Sequence, residues 1–312
     1  MKKIIFYVKE YYKETFNLKL YAATAILLAF LISANYTLNI EDDFIDAYHG
    51  TWYKGVLYAL LTGGSYLITC LFIQLFTEKK DIFKQKGFWY SLLLFYIIFG
   101  VYRGSYYAIR FVQEITIEAD YYFYYKLVGN LEDIAFGVLP FIIIYFVYDR
   151  KKIDHCYGLN TQNANIKPYI IMLLIMCLPI YFASLTEGFM ESYPKANKAH
   201  YLEFSNIHSI SSWSSFLIFE FFYLTSFLAV EIMFRGFLIY RLEKYLGNYV
   251  VLPMMVAYAV IHFGKPLGET LGSIGGAYVL GILALKTKNI YGGIFIHIGV
   301  ALLMEIFALL SF

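Results

Sequence analysis

Apolar residues in this chain come in blocks of about twenty, the length a helix needs to cross a bilayer core. About nine such spans can be read, near 20–40, 53–77, 88–110, 130–148, 168–187, 213–240, 249–264, 270–287 and 290–311. Arg103, Arg110, Glu132 and Asp133 interrupt the third and fourth. We expect these charges to pair across neighbouring spans. Ahead of the first block lies a charged amphipathic leader, KKIIFYVKEYYKETFNLK. It is too polar and too long for a typical signal peptide, so the first span is expected to stay uncleaved. The pattern predicts an all-α, polytopic transmembrane helical bundle. The polar stretch HCYGLNTQNANIKP, 155–168, ends in a proline and reads as a linker. It separates an N-terminal transmembrane region, 1–165, with four spans from a second region, 166–312, with five.

Composition agrees with that reading. Hydrophobic residues make up 60% of the chain and charged residues 15%, whereas soluble proteins are about half apolar and a quarter charged. We expect an integral, multi-pass membrane protein whose first partner is the lipid bilayer. The net charge of +2 says little, but its distribution says more. Lysine and arginine cluster in EKKDIFKQK, DRKKIDH, RLEK and KTKN, while alternate loops such as IEDDFIDAYHG are acidic. Basic loops stay in the cytoplasm, which places the N-terminus inside, the C-terminus outside and makes the number of spans odd. Cys70, Cys156 and Cys177 have no close spacing, so neither a disulfide framework nor a thiolate metal site is expected. There is no nucleotide-binding glycine loop and no basic patch for nucleic acid. Tyrosine-rich stretches such as VYRGSYYAI and DYYFYYK suit the lipid interface.

The chemistry-bearing groups lie in the last spans. VEIMFRGF, 230–237, puts Glu231 and Arg235 four residues apart, on one helix face where they can pair. An ionisable group at membrane depth costs about 3 kcal/mol or more. The next apolar region, AYAVIHFGKPLGE, carries His262, and the last, IYGGIFIHIGVALLMEI, carries His297. At 1.5 Å per residue, Glu231 lies about 15 Å from Arg241, and His297 about 10 Å from Lys288. His262 is deeper by this measure, and Gly264 and Pro266 after it suggest a helix break that brings it level. One glutamate and two histidines support two chemistries. Glu231, His262 and His297 form a known ligand set for a divalent metal such as zinc. Without a metal, a carboxylate activates water, one histidine helps to hold it and another donor stabilises the oxyanion. Both hydrolyse an acyl bond, and both need a cavity that admits water.

EIMFRG (231–236), YAVIH (258–262) and IYGGIFIH (290–297), in that order, resemble the CAAX protease and bacteriocin-processing family. This CPBP family of intramembrane proteases is also called Abi and is often labelled metalloprotease. GGAYVLGILALKTKNIYGG (275–293) is similar to the glycine-rich span before the family's last histidine. The resemblance covers roughly 215–310. It implies a CAAX-protease-like C-terminal core of packed transmembrane helices, with the polar site inside. It also implies endopeptidase activity on a membrane-bound or lipidated protein or peptide. No cofactor is required by the glutamate-dependent members.

We expect Glu231 to activate water, with Arg235 fixing that glutamate, His262 binding the same water and His297 stabilising the oxyanion. Two positions depart from the family pattern. Val230 stands where the family has the first of two glutamates, and Ala301 where it has Asn or Asp. Glu269 and Glu305 are the carboxylates that could compensate, whereas Glu220 reads as a packing residue and Tyr258 as packing or auxiliary. The expected activity is an intramembrane endopeptidase of a bacterial plasma membrane. The alternative is a catalytically degenerate scaffold, immunity or regulatory protein on the same fold.

Overall fold

The computed structural model describes residues 2–105, 107–117, 120–161 and 165–310, and among these residues there are helices and no strand. An amphipathic helix, α1 (Lys2–Thr15), packs beside the later helix Leu267–Thr287 and ties to it through Lys286, whose Nζ lies 2.8 Å from Glu14. The long apolar helices follow. They are α2 (Leu18–Leu38), α3 (Trp52–Phe76) and α4 (Lys86–Gly104), with a short α5 (Tyr107–Ile115) after the last. α6 (Tyr121–Gly137) and α7 (Leu139–Ile144) then form one apolar run that continues to Asp149. The linker leads into α8 (Lys167–Ser184), and the short helices α9 (Glu187–Ser192) and α10 (Tyr201–Ile207) cover one end.

Ser211 accepts from the Trp213 amide and starts α11 (Ser212–Val230). The chain widens into a π-helical turn, Glu231–Leu238, before α12 (Ile239–Leu246). π turns of this kind are rare and concentrate at functional sites. Gly247, at φ 59°, then turns the chain into α13 (Val251–Val260). The last two helices are α14 (Leu267–Thr287) and α15 (Tyr291–Leu310).

Eight helical runs are long and apolar enough to span a bilayer. The difference from nine lies in one of them, Ser212–Val260, which has 49 residues. A straight helix of that length would reach about 70 Å, more than twice a bilayer core. The break at Gly247 divides it where the sequence suggests two spans. The second leg, α13, has only ten residues and every one of them is buried. It is enclosed by protein rather than by lipid. The third span also stops early, at Gly104, so Arg110 falls on α5.

One large core joins both sides of the linker. Phe95 of α4 stacks with Phe237 at 5.9 Å, and Phe141 of α7 meets the same ring at 4.9 Å. Phe99 packs on Phe234 at 6.1 Å. Aromatic pairs of this geometry add about 0.5–1.5 kcal/mol each beyond area burial. They back the π turn with rings from the N-terminal half. Outside the core, large apolar side chains such as Phe30, Leu60, Leu93 and Leu174 stand exposed, as they do on a surface that faces lipid. The protein is a multi-pass membrane protein. Arg103 finds its ion-pair partner on another element, with Nη2 3.9 Å from Glu41, while its guanidinium covers the Tyr58 ring at 4.0 Å. Asp133 lies close enough to interact with it.

Candidate active site

The π turn makes Glu231 and Arg235 fully internal, and all eight of its residues are buried. Glu231 Oε1 lies 3.1 Å from Arg235 Nη1, so the pair expected from the i, i+4 spacing is present. The same oxygen lies 3.1 Å from His297 Nδ1. α15 brings His297 there because Gly293 lets its backbone approach: a Cβ at 293 would overlap Glu231 Oε2. His297 Nε2 is in turn 3.1 Å from the Tyr258 hydroxyl. With Nδ1–H donating to Glu231, Nε2 carries the lone pair and accepts from Tyr258. Glu231, His297 and Tyr258 therefore form a hydrogen-bonded relay across three elements. The Arg235 guanidinium lies over the Tyr258 ring at 3.8 Å, where the ring face attracts a cation.

His262 sits just past the end of α13. Its own amide bonds back to Ala259, which leaves the Tyr258 carbonyl without the usual helical donor. His262 Nδ1 fills that position at 2.9 Å. Helix ends leave such carbonyls to be satisfied by side chains. The bond puts the ring proton on Nδ1 and leaves Nε2 as a free acceptor. The rings of His262 and Tyr258 are 4.7 Å apart.

A cavity of about 690 Å³ opens onto these groups. Arg235, Tyr258, His262 and His297 line one part of it, together with Lys265 and Glu269. The rest is mostly apolar, with Ile175, Met176, Ile180, Val279, Leu280 and Met304 among its walls and hydroxyls only at Thr186, Tyr193, Tyr223 and Ser273. Ala301 lines it as well. Another cleft, of about 750 Å³, lies between α3 and α4 and is lined by no acid, base or histidine. Only the first has chemistry in its wall.

Glu231 does not line the cavity. Arg235 and His297, which contact its carboxylate, line that space instead. Glu269 is the carboxylate that does line it, but both its oxygens are engaged. One pairs with Lys265 and the other accepts from Tyr193 at 3.1 Å. Glu305 and Glu220 lie elsewhere. Glu305 accepts from the amides of Lys195 and Ala196, at 2.7 and 3.4 Å, and Glu220 is buried beside it. Neither reaches the cavity wall. Tyr258, read as packing or auxiliary, is the residue that the sequence underrated. Its spacing one turn before His262 was the available signal.

The proposed metal ligands do not fit a metal. Both ring nitrogens of His297 are engaged, and Glu231 Oε1 is shared with Arg235. Among the described residues, no group of three or more His, Cys, Asp or Glu is arranged to hold an ion.

Residues 212–303 match the family model described as type II CAAX prenyl endopeptidase Rce1-like. No curated protein and no solved structure matches the chain.

Proposed function

We propose, from the CAAX-protease family character of residues 212–303, that this protein is an intramembrane endopeptidase acting on a membrane-associated or lipidated protein or peptide. One observation carries the reading: a largely apolar cavity whose only chemically equipped wall presents His262, Tyr258, His297 and Arg235 together. The apolar part suits a lipid-like or apolar segment of the substrate. The polar wall supplies what peptide hydrolysis needs.

His262 Nε2 accepts a proton from water, and the water oxygen attacks the scissile carbonyl. The oxyanion forms beside the Arg235 charge, and the Tyr258 hydroxyl turns its one proton from His297 Nε2 to the oxyanion as charge develops, while Glu231 holds Arg235 and His297 in place. Collapse of the tetrahedral intermediate breaks the C–N bond, and His262 returns its proton to the leaving amine. Such positioned general bases contribute about 10²–10⁴-fold, and an oxyanion donor about 10²–10³-fold. In this assignment Glu231 acts through His297 rather than on water. That explains how the site can work with Val230 in place of a second glutamate.

The degenerate-scaffold reading has its own support, because Val230 and Ala301 remove two polar groups and the sole carboxylate in the cavity wall is already paired. The test compares protein termini in membranes of cells making wild type or His262→Ala at equal levels. New termini that appear only with wild type establish the protease and reveal its substrate. Identical termini, with both proteins folded and abundant, establish the scaffold instead.

A further inference from the structure

His262 belongs to the turn Ile261–Pro266, which links α13 to α14. Six residues outside regular helix at membrane depth expose backbone carbonyls that must find donors. The donors come from two elements. Thr270, on the first turn of α14 and fully buried, donates its hydroxyl to the His262 carbonyl at 2.6 Å. Tyr36, near the end of α2, lies 2.6 Å from the Lys265 carbonyl and 2.7 Å from the Thr270 hydroxyl. Asn35 Nδ2 donates to the Phe263 carbonyl at 3.3 Å, and its Oδ1 accepts from the Glu41 amide at 2.9 Å. The Glu41 side chain lies directly against Gly264.

The two hydroxyls own two protons but make three contacts. Thr270 gives its proton to His262, so Tyr36 divides its own between the Lys265 carbonyl and Thr270. Loss of either hydroxyl removes a donor that the other cannot replace. None of these residues lines the cavity, and none touches the reacting groups directly.

We infer that Tyr36, Asn35 and Thr270 are positioning residues that clamp the His262 turn, so that α2 of the N-terminal half completes the active site. The inference rests on the protease reading for its kinetic consequence, but not for its structural one. The His262 ring reaches the Tyr258 carbonyl through Nδ1 only while the turn folds back over the end of α13. The clamp fixes that fold-back and with it the tautomer that leaves Nε2 free. A role for the first half of the chain follows: it supplies the outer support of a site whose reacting groups all lie in the second half.

The test uses the full-length protein in lipid bilayers with ¹⁵N-labelled histidine. The chain has six histidines, and a His262→Gln variant identifies the relevant signal. Wild type is expected to show His262 protonated on Nδ1. Tyr36→Phe and Thr270→Val, which keep ring and volume, are expected to give a mixture of both tautomers. Thr270→Ser retains the hydroxyl and is expected to restore the wild-type signal. Where cleavage is measured, the two disrupting variants are expected to lower kcat roughly 10- to 100-fold with little change in KM. An unchanged His262 signal in folded Tyr36→Phe overturns the inference, whatever the enzyme activity; should Thr270→Val fail to fold, Tyr36→Phe decides alone. A shifted signal in a protein that cleaves nothing sustains the clamp and overturns the protease reading.

Discussion

The α11–α12 junction and the turn after α13 both present polar side chains to one cavity, but they are held by opposite means. At the junction, Glu231 and Arg235 are buried to 0% and 1% exposure, packed by aromatic rings and locked to each other. At the turn, no ion pair holds His262. Neutral side chains from α2 and α14 catch its carbonyls instead. The comparison separates two routes to a preorganised site. A charge pair in a dry core is rigid, but it fails as a unit when one partner goes. A hydrogen-bonded turn fails in graded steps, and its support can lie far away in the chain.

The largest effect should come from breaking the junction. Glu231→Leu leaves Arg235 charged and buried without a counterion, which costs about 3–5 kcal/mol. Thermal unfolding in bilayers should show a large drop in midpoint. The double variant Glu231→Leu, Arg235→Met should recover much of that loss, since both charges go together. Equal losses in the single and double variants would refute the picture of a mutually dependent pair.

A second test probes the turn through Glu41, which lies outside the spanning helices. Burial, reinforced by the neighbouring Asp46 charge and opposed by Arg103, raises its carboxyl from the usual range to about 7. A carboxyl whose folded pKa is raised favours folding when protonated. Stability should therefore fall as pH rises from about 4.5 to about 7 and then level off, by at most about 3 kcal/mol. Glu41→Gln should flatten that slope, and the midpoint of unfolding between pH 4.5 and 8 would record it. An identical slope in wild type and variant would detach Glu41 from the turn's stability.

A third test separates support from chemistry. Tyr258→Phe keeps the ring under Arg235 and removes only the hydroxyl. The rate should fall about 10²-fold or more, while stability changes by only about 1 kcal/mol. A rate within a few-fold of wild type would return Tyr258 to packing and leave Arg235 as the group that meets the oxyanion.

These contrasts explain what the sequence disclosed. The Glu231–Arg235 spacing, the two histidines and the apolar blocks are local patterns, and each has a direct counterpart in the structure. The hidden features depend on contacts between distant segments. Glu231 sits behind the cavity wall because Gly293 of α15 lets a second helix close over it, and nothing near 231 signals that approach. Arg241 reads as a loop cation in RLEK, yet it is buried and paired with Asp149, 92 positions away, with its Nε on Ser91. The hydrogen bond from Tyr36 to the His262 turn spans 229 positions. A side chain that bonds a distant carbonyl leaves no periodicity to read. The short α13 was also concealed, because a helix buried by protein and one buried by lipid are equally apolar.

The smallest expected effect concerns Glu269, the carboxylate of the turn region that lines the cavity. Its pair with Lys265 is partly solvated, with side-chain exposures of 18% and 33%. A pair in that setting contributes at most about 1 kcal/mol, so Glu269→Gln should barely move the unfolding midpoint. The same variant is informative for chemistry. If His262 is the base, the neutral amide should still allow cleavage within a few-fold of wild type. If cleavage falls 10²-fold or more while stability holds, the missing carboxylate of the 230 position has moved to 269. The turn would then carry both the histidine and the acid. The junction would hold only their oxyanion partners, and the division of labour between the two regions would be sharper than the one argued above.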